Sequence, residues 1–185
     1  SDSRLLEAAD LIEFPSIDSR TGATNVRDLL ERDPGQLGAV FMRAKSHYLL
    51  ERYIDEQAIT GMVVCIDPAT SKVGALAGLV AAWVERSHGA DPETRERQAN
   101  GLFLCLTKLD KELSDPGRRG KDRRIDIARR IEETLVEGFG KSHGWPQAWT
   151  TSRAFDNVHL VRSPAARAKH LFNYGSDGRE TGLKP

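Results

Sequence analysis

Thr107, Lys108 and Asp110 follow directly on the apolar run Leu102-Phe103-Leu104-Cys105-Leu106, and their types and spacing suit recognition of a purine base. A single carboxylate at Asp110 can accept from both the ring N–H and the exocyclic amine of guanine, a donor pair that adenine lacks. Lys108 can lay its alkyl stem along the base, and Thr107 can tie the loop to its surroundings. The same four residues also describe a plain polar turn after a buried strand, so position in the fold decides their meaning.

Other candidates for chemistry are weaker. His47, His88, His143, His159 and His170 are scattered without the spacing of a zinc site. No Gly-x-Ser-x-Gly elbow is present, and neither cysteine has a sequence-local partner that would mark a nucleophile. Cys65 and Cys105 lie in strand-like apolar runs and read as core residues of a reducing compartment, not as a disulfide framework or metal site. Gly140-Lys141-Ser142 imitates the end of a phosphate loop, but the leading glycine position holds Leu135, so a helix C-cap is the better reading. The basic run from Arg118 to Arg130 is interrupted by Asp122 and Asp126 and reads as a solvated loop and helix face.

The elements that must position these residues alternate. Ala9 to Pro15 reads as a short strand closed by proline, and Ser16 to Gln36 as a polar loop with one helical turn near Val26 to Glu31. Leu37 to Glu56 has Val40, Phe41, Ala44, Tyr48, Leu49 and Tyr53 at helical spacing. Ile59 to Asp67 is a continuous apolar run, as in a buried parallel strand. A helix over Lys72 to His88, with Gly74 and Gly78 allowing close approach to a sheet, leads through a charged linker (Ala90 to Asn100) to the Leu102 strand. A helix over Arg123 to Gly138, an irregular stretch over Trp145 to Arg153, a strand over Asn157 to Arg162 and a last helix over Ala165 to Phe172 follow. The fold class is therefore α/β, an open, mainly parallel sheet with flanking helices. It is expected as one domain over 1–173, with 174–185 a frayed tail.

Composition narrows the partners. The 185 residues carry 27 Lys plus Arg and 27 Asp plus Glu, so no global field favours nucleic acid or an anionic membrane. No apolar run reaches membrane-spanning length and no signal-peptide pattern is present, which makes a soluble cytoplasmic domain the expectation. Ser1 stands where an initiator Met would, and the chain reads as a piece of a longer protein.

In a parallel α/β sheet, ligands collect outside the carboxyl ends of the strands. Three strand ends are informative: Glu13-Phe14-Pro15-Ser16, Thr107 to Asp110, and Val161-Arg162-Ser163-Pro164. Their order resembles the distal half of a P-loop GTPase, with an acidic-Pro turn, the Thr-Lys-x-Asp base reader and a short loop behind the base. With Leu11 to Pro15, Asp18-Ser19-Arg20, Arg43-Ala44-Lys45, Tyr48 to Tyr53, Gly140 to Pro146, Trp149-Thr150 and Phe155 to Pro164, almost the whole chain resembles the SrfC-like family of bacterial virulence factors, whose front part looks like a dynamin-related G domain. The resemblance implies GTP or GDP with Mg²⁺ as cofactors of the parent protein, Thr107, Lys108, Asp110, Arg162 and Ser163 around the base, and Glu13 reaching the metal through water.

The departures from that pattern also matter. No Gly-x-x-x-x-Gly-Lys-Ser/Thr loop precedes the first strand, Glu13 replaces the usual Asp, and Ser16 replaces the usual Gly. No residue is assigned to position an attacking water, so hydrolysis belongs at best to the parent protein and this chain alone is expected to be inactive. The sheet should lack the strand between Glu13 and Ile59 and expose unpaired edges. The implied partners are therefore the rest of its own polypeptide, another protein segment, or a second copy. The other reading is a degenerate, nucleotide-free G-like domain that serves as an assembly or interaction module. The implied location is the bacterial cytoplasm, or a secreted or membrane-associated larger protein.

Overall fold

A computed structural model describes residues 9–14, 26–67, 73–110, 120–163, 165–169 and 172–183. Along the chain run α1 (Val26–Arg32), α2 (Leu37–Asp55), β1 (Met62–Ile66), α3 (Gly74–Ser87), α4 (Pro92–Glu96) and β2 (Leu102–Leu106). Then come α5 (Gly120–Glu132), which continues as a π-helix over Glu133–Phe139, and β3 (Val158–Leu160), β4 (Phe172–Tyr174) and β5 (Glu180–Leu183). β1, β2 and β3 form a parallel sheet in that order, and β4 pairs antiparallel with β5. Sheet, strand direction and alternating helices agree with the α/β expectation. Among the described residues no helix is long and apolar enough to cross a membrane.

Two expected elements do not form. Residues 9–14 are irregular, with Leu11 84% exposed, while Pro15 and Ser16 lie outside the described residues. Only Phe14 packs closely, edge-on to Tyr53 with ring centroids 5.9 Å apart. Apolar composition does not make a strand where no ladder accepts its backbone. Nor do residues 165–169 form the helix expected over Ala165 to Phe172, of which His170 and Leu171 lie outside the described residues. There the Ala168 N–H donates to the Tyr174 hydroxyl at 2.9 Å, and the chain enters β4 instead. The supposed tail thus supplies a hairpin, turned through Gly178 at a left-handed φ of +76°.

The sheet is covered on one face. Val64, Ile66, Leu102, Leu104 and Leu106 are buried in a core shared with Leu50 and Ile54 of α2, Leu79, Val80, Trp83 and Val84 of α3, and Leu135 and Phe139 of the π-helix. The opposite face carries Val63 (59% exposed), Phe103 (38% exposed) and exposed Cys65. The run Ile59 to Asp67 is therefore not buried on both sides as its continuous apolar character predicts; it alternates. Gly78 is exposed, and a Cβ there would meet nothing within 4 Å, so it does not serve close helix–sheet approach. On α2 the buried stripe is Ser46, Leu50 and Ile54, whereas Phe41 and Tyr48 point outward. Apolar residues surround that helix, so periodicity alone could not choose the packed side.

The amino end of β2 is held by two polar residues. Arg95 of α4, 4% exposed, donates to the carbonyls of Gly89 (3.0 Å), Ala90 (2.7 Å), Ala148 (2.6 Å) and Trp149 (3.0 Å). It thereby pins the irregular stretch 145–155, whose Trp145, Trp149 and Phe155 pack edge to face. α4 is short but well started: Asp91 caps it by accepting from the Thr94 N–H at 2.8 Å. Gly89, at φ +103°, ends the preceding turn where a Cβ would come within 2.4 Å of Thr94. His88 is buried between Trp83 and Trp149, and its Nε2 accepts from the Gly101 N–H at 3.0 Å just before β2. Its Nδ1 lies 2.7 Å from Ser87 Oγ, which itself donates to the Trp83 carbonyl. Its Nε2 also lies 3.1 Å from the Ala99 carbonyl oxygen, and burial lowers the ring's pKa below the usual histidine value, which favours the neutral form.

Replacing Arg95 by Ala leaves four carbonyls without this donor, that of buried Trp149 among them, so unfolding free energy should fall by about 3 kcal/mol in chemical denaturation. A loss under about 1 kcal/mol would show that the clamp is dispensable. For His88 the unfolded chain takes up the proton first. Stability is therefore complete above about pH 6.5 and declines as pH falls through 6.5 toward the lower folded pKa. Melting curves at several pH values should show a shallower decline for His88→Gln; equal slopes would reject the neutral buried assignment.

Candidate functional site

The carboxyl end of the sheet is tied together before any side chain there is free to act. The Thr107 N–H and hydroxyl both donate to the Ile66 carbonyl, at 2.8 and 3.2 Å. Arg130 of α5 reaches the same place, donating to Ile66 O at 3.2 Å and Thr107 O at 2.9 Å. The Leu109 N–H donates to Val161 O at 3.1 Å, which brings the loop after β2 against the loop after β3. Leu109 is buried with Ala168 against Ile127 and Phe172 and anchors the loop from below.

On this frame the predicted residues fall into place unequally. Lys108 has a left-handed backbone, φ +56°, and its ammonium pairs with Asp67, the residue after β1, at 2.5 Å. Asp110 is half-buried, and its Oδ1 accepts from the Ser163 N–H at 3.1 Å. Arg162 spans the loop and the hairpin: it donates to Ala166 O at 2.8 Å, pairs with Glu180, and lies over the Phe172 ring at 4.8 Å. Tyr174 donates to the same Glu180 carboxylate at 3.1 Å. Thr107, Lys108, Asp110, Arg162 and Ser163 are thus one cluster at the ends of β2 and β3. Glu13 is exposed in the irregular segment 9–14. Among the described residues no group of three or more His, Cys, Asp or Glu side chains gathers as a metal site.

Asp67, Arg130 and Glu180 were not singled out from sequence. Asp67 carried a signal, as an acid directly after a buried strand in a parallel sheet. Arg130 carried another, because it shares a helical stripe with Ile127 and Ile131, which are both partly buried. Its place at the strand ends corrects the reading of it as part of a solvated face. Glu180 lies in the presumed tail and gave no signal. Gly140 sits at the C-cap of the π-helix, its N–H donating to Leu135 O at 2.8 Å, so Gly140-Lys141-Ser142 ends a helix as expected.

Chemically, the cluster offers a carboxylate next to a backbone N–H, flanked by an alkyl stem. A non-glycine residue in the left-handed region costs about 1–2 kcal/mol, so Lys108 is held there by its neighbours. Lys108→Gly should be more stable than Lys108→Ala by about 1 kcal/mol in chemical denaturation, since both lose the ion pair but only glycine relieves the backbone. Equal stability would reject the left-handed conformation.

No curated protein and no solved structure matches the chain significantly. A family model described as "Putative bacterial virulence factor" matches residues 1–185. The chain belongs to that family.

Proposed function

We propose that this chain carries the base-reading part of a guanine-nucleotide-binding domain in a bacterial virulence-associated protein. The observation that carries the reading is the contact between Asp110 and the Ser163 N–H, made where the loops after β2 and β3 meet. Guanine presents an oxygen acceptor beside two N–H donors along one edge. A carboxylate with a backbone N–H one hydrogen bond away is complementary to that edge, and adenine presents the wrong order. Lys108 supplies a stem for the base face, Thr107 fixes the loop, and Arg162 holds the Ser163 loop through Ala166 and Glu180.

The donor set suits the base. It does not assemble a magnesium site among the described residues, so no hydrolytic step is derived, and Glu13 as a carboxylate reaching metal-bound water stays an expectation of the resemblance. The second reading, a nucleotide-free module for assembly, is favoured by the apolar groups left outward on the uncovered sheet face and on α2.

One titration separates the two. Labelled GTP, GDP and ATP are added to the full-length protein, then to Asp110→Ala and Asp110→Asn. Guanine-selective binding, weakened about 10- to 100-fold by either change, is expected from loss of a bidentate contact worth about 1–3 kcal/mol. Absence of binding by the wild type at concentrations on the order of tens of micromolar rejects base recognition and leaves the assembly module.

A further inference from the structure

The uncovered face of the sheet places two thiols side by side. Cys65 and Cys105 are register partners on adjacent parallel strands, so both side chains leave the sheet on the same face. Strands in a sheet lie about 4.8 Å apart, inside the roughly 4.4–6.8 Å Cα separation that a disulfide spans. Cys65 is exposed, Cys105 is half-buried, and both are free thiols. This corrects their reading as core residues. His159 is the register partner of Cys105 on its other side, but its Nε2 lies 2.9 Å from Asn157 Oδ1 and its ring leans on Phe103.

From this juxtaposition we infer that Cys65 and Cys105 form a reversible dithiol site, oxidised to a cross-strand disulfide by low-molecular-weight disulfides of the glutathione class. The accessible Cys65 loses its proton to solvent and attacks one sulfur of the reagent, expelling one reagent thiolate, which takes up a proton. Cys105 then attacks the Cys65 sulfur of the mixed disulfide and displaces the second reagent thiol. Two protein thiols are oxidised and one reagent disulfide becomes two thiols, so electrons and protons balance. Burial, together with the neighbouring Cys65, pushes the Cys105 thiol up, which suits it to the second, intramolecular step better than the first.

The bond would staple β1 to β2 two residues before Asp67 and Thr107, the pair of positions that frame the candidate site. The inference does not depend on nucleotide binding. It is tested on the folded full-length protein with oxidised glutathione, followed by intact mass and non-reducing peptide mapping. A Cys65–Cys105 cross-linked peptide, with loss of two hydrogens reversed by dithiothreitol, is expected. Cys105→Ser should trap glutathione on Cys65, and Cys65→Ser should react about tenfold more slowly. A wild type that stops at a stable mixed disulfide, forms only inter-chain links, or keeps both thiols while circular dichroism shows the native fold would overturn the proposal. The wild-type readouts stand whether or not the serine variants fold.

Discussion

The in-register parallel pairing of β1 with β2, from Met62 opposite Leu102 to Ile66 opposite Leu106, is the constraint on which the rest of the structure depends. A slip of β1 by one residue against β2 would turn Val64 and Ile66 out of the core and put Val63 and Cys65 into it. Burying each large apolar side chain is worth about 1.5–3 kcal/mol, an upper figure given residual order in the unfolded chain. The Lys108–Asp67 pair is partly exposed, and such pairs are worth about 0–1 kcal/mol. Packing therefore sets the register, and the polar site inherits it. The same register puts Cys65 beside Cys105.

Parallel strands end in carbonyls and begin in N–H groups that the ladder cannot satisfy, and here each end of the sheet has its own polar closure. At the carboxyl end Thr107 and Arg130 converge on Ile66 O. At the amino end His88 receives the Gly101 N–H, while Arg95 binds the carbonyls of two loops that have no secondary structure. Both guanidiniums come from segments that sequence presents as surface: a charged linker and a basic helix. A planar cation with five donors suits this task, because it can bond several carbonyls held at fixed positions, which a lysine ammonium cannot reach together.

This pattern explains what sequence did and did not disclose. β2 and most of α2, α3 and α5 were legible because apolar periodicity and turn residues agree at those places. β1 was legible as a strand but misleading as to burial, since a continuous apolar run cannot reveal that Val63 and Cys65 face outward. Among the described residues, 9–14 form no strand and 165–169 no helix, because local composition there was not backed by a partner surface. In the candidate site, Thr107 to Asp110 could be read from a strand end. Asp67, Glu180 and the carbonyl-binding role of Arg130 depend on pairings between residues 18 to 64 positions apart, and no local pattern encodes those.

The ion pair between Lys108 and Asp67 bears on whether the cluster could accept a base. It does not block recognition, because the proposed role of Lys108 uses the alkyl stem, not the ammonium, and pairing at the tip restrains that stem. Asp110 is the decisive group. Its contact with the Ser163 N–H means that a guanine edge would meet a carboxylate and a donor already held side by side, and binding would have to loosen that hydrogen bond, worth about 0.5–1.5 kcal/mol. A bidentate base contact, worth about 1–3 kcal/mol in discrimination, exceeds that cost only if the carboxylate keeps its present orientation. Leu109, buried below the loop and bonded through its N–H to Val161, fixes the backbone from which that carboxylate projects. Selectivity in this reading is therefore as much a property of an apolar anchor as of the acid beside it.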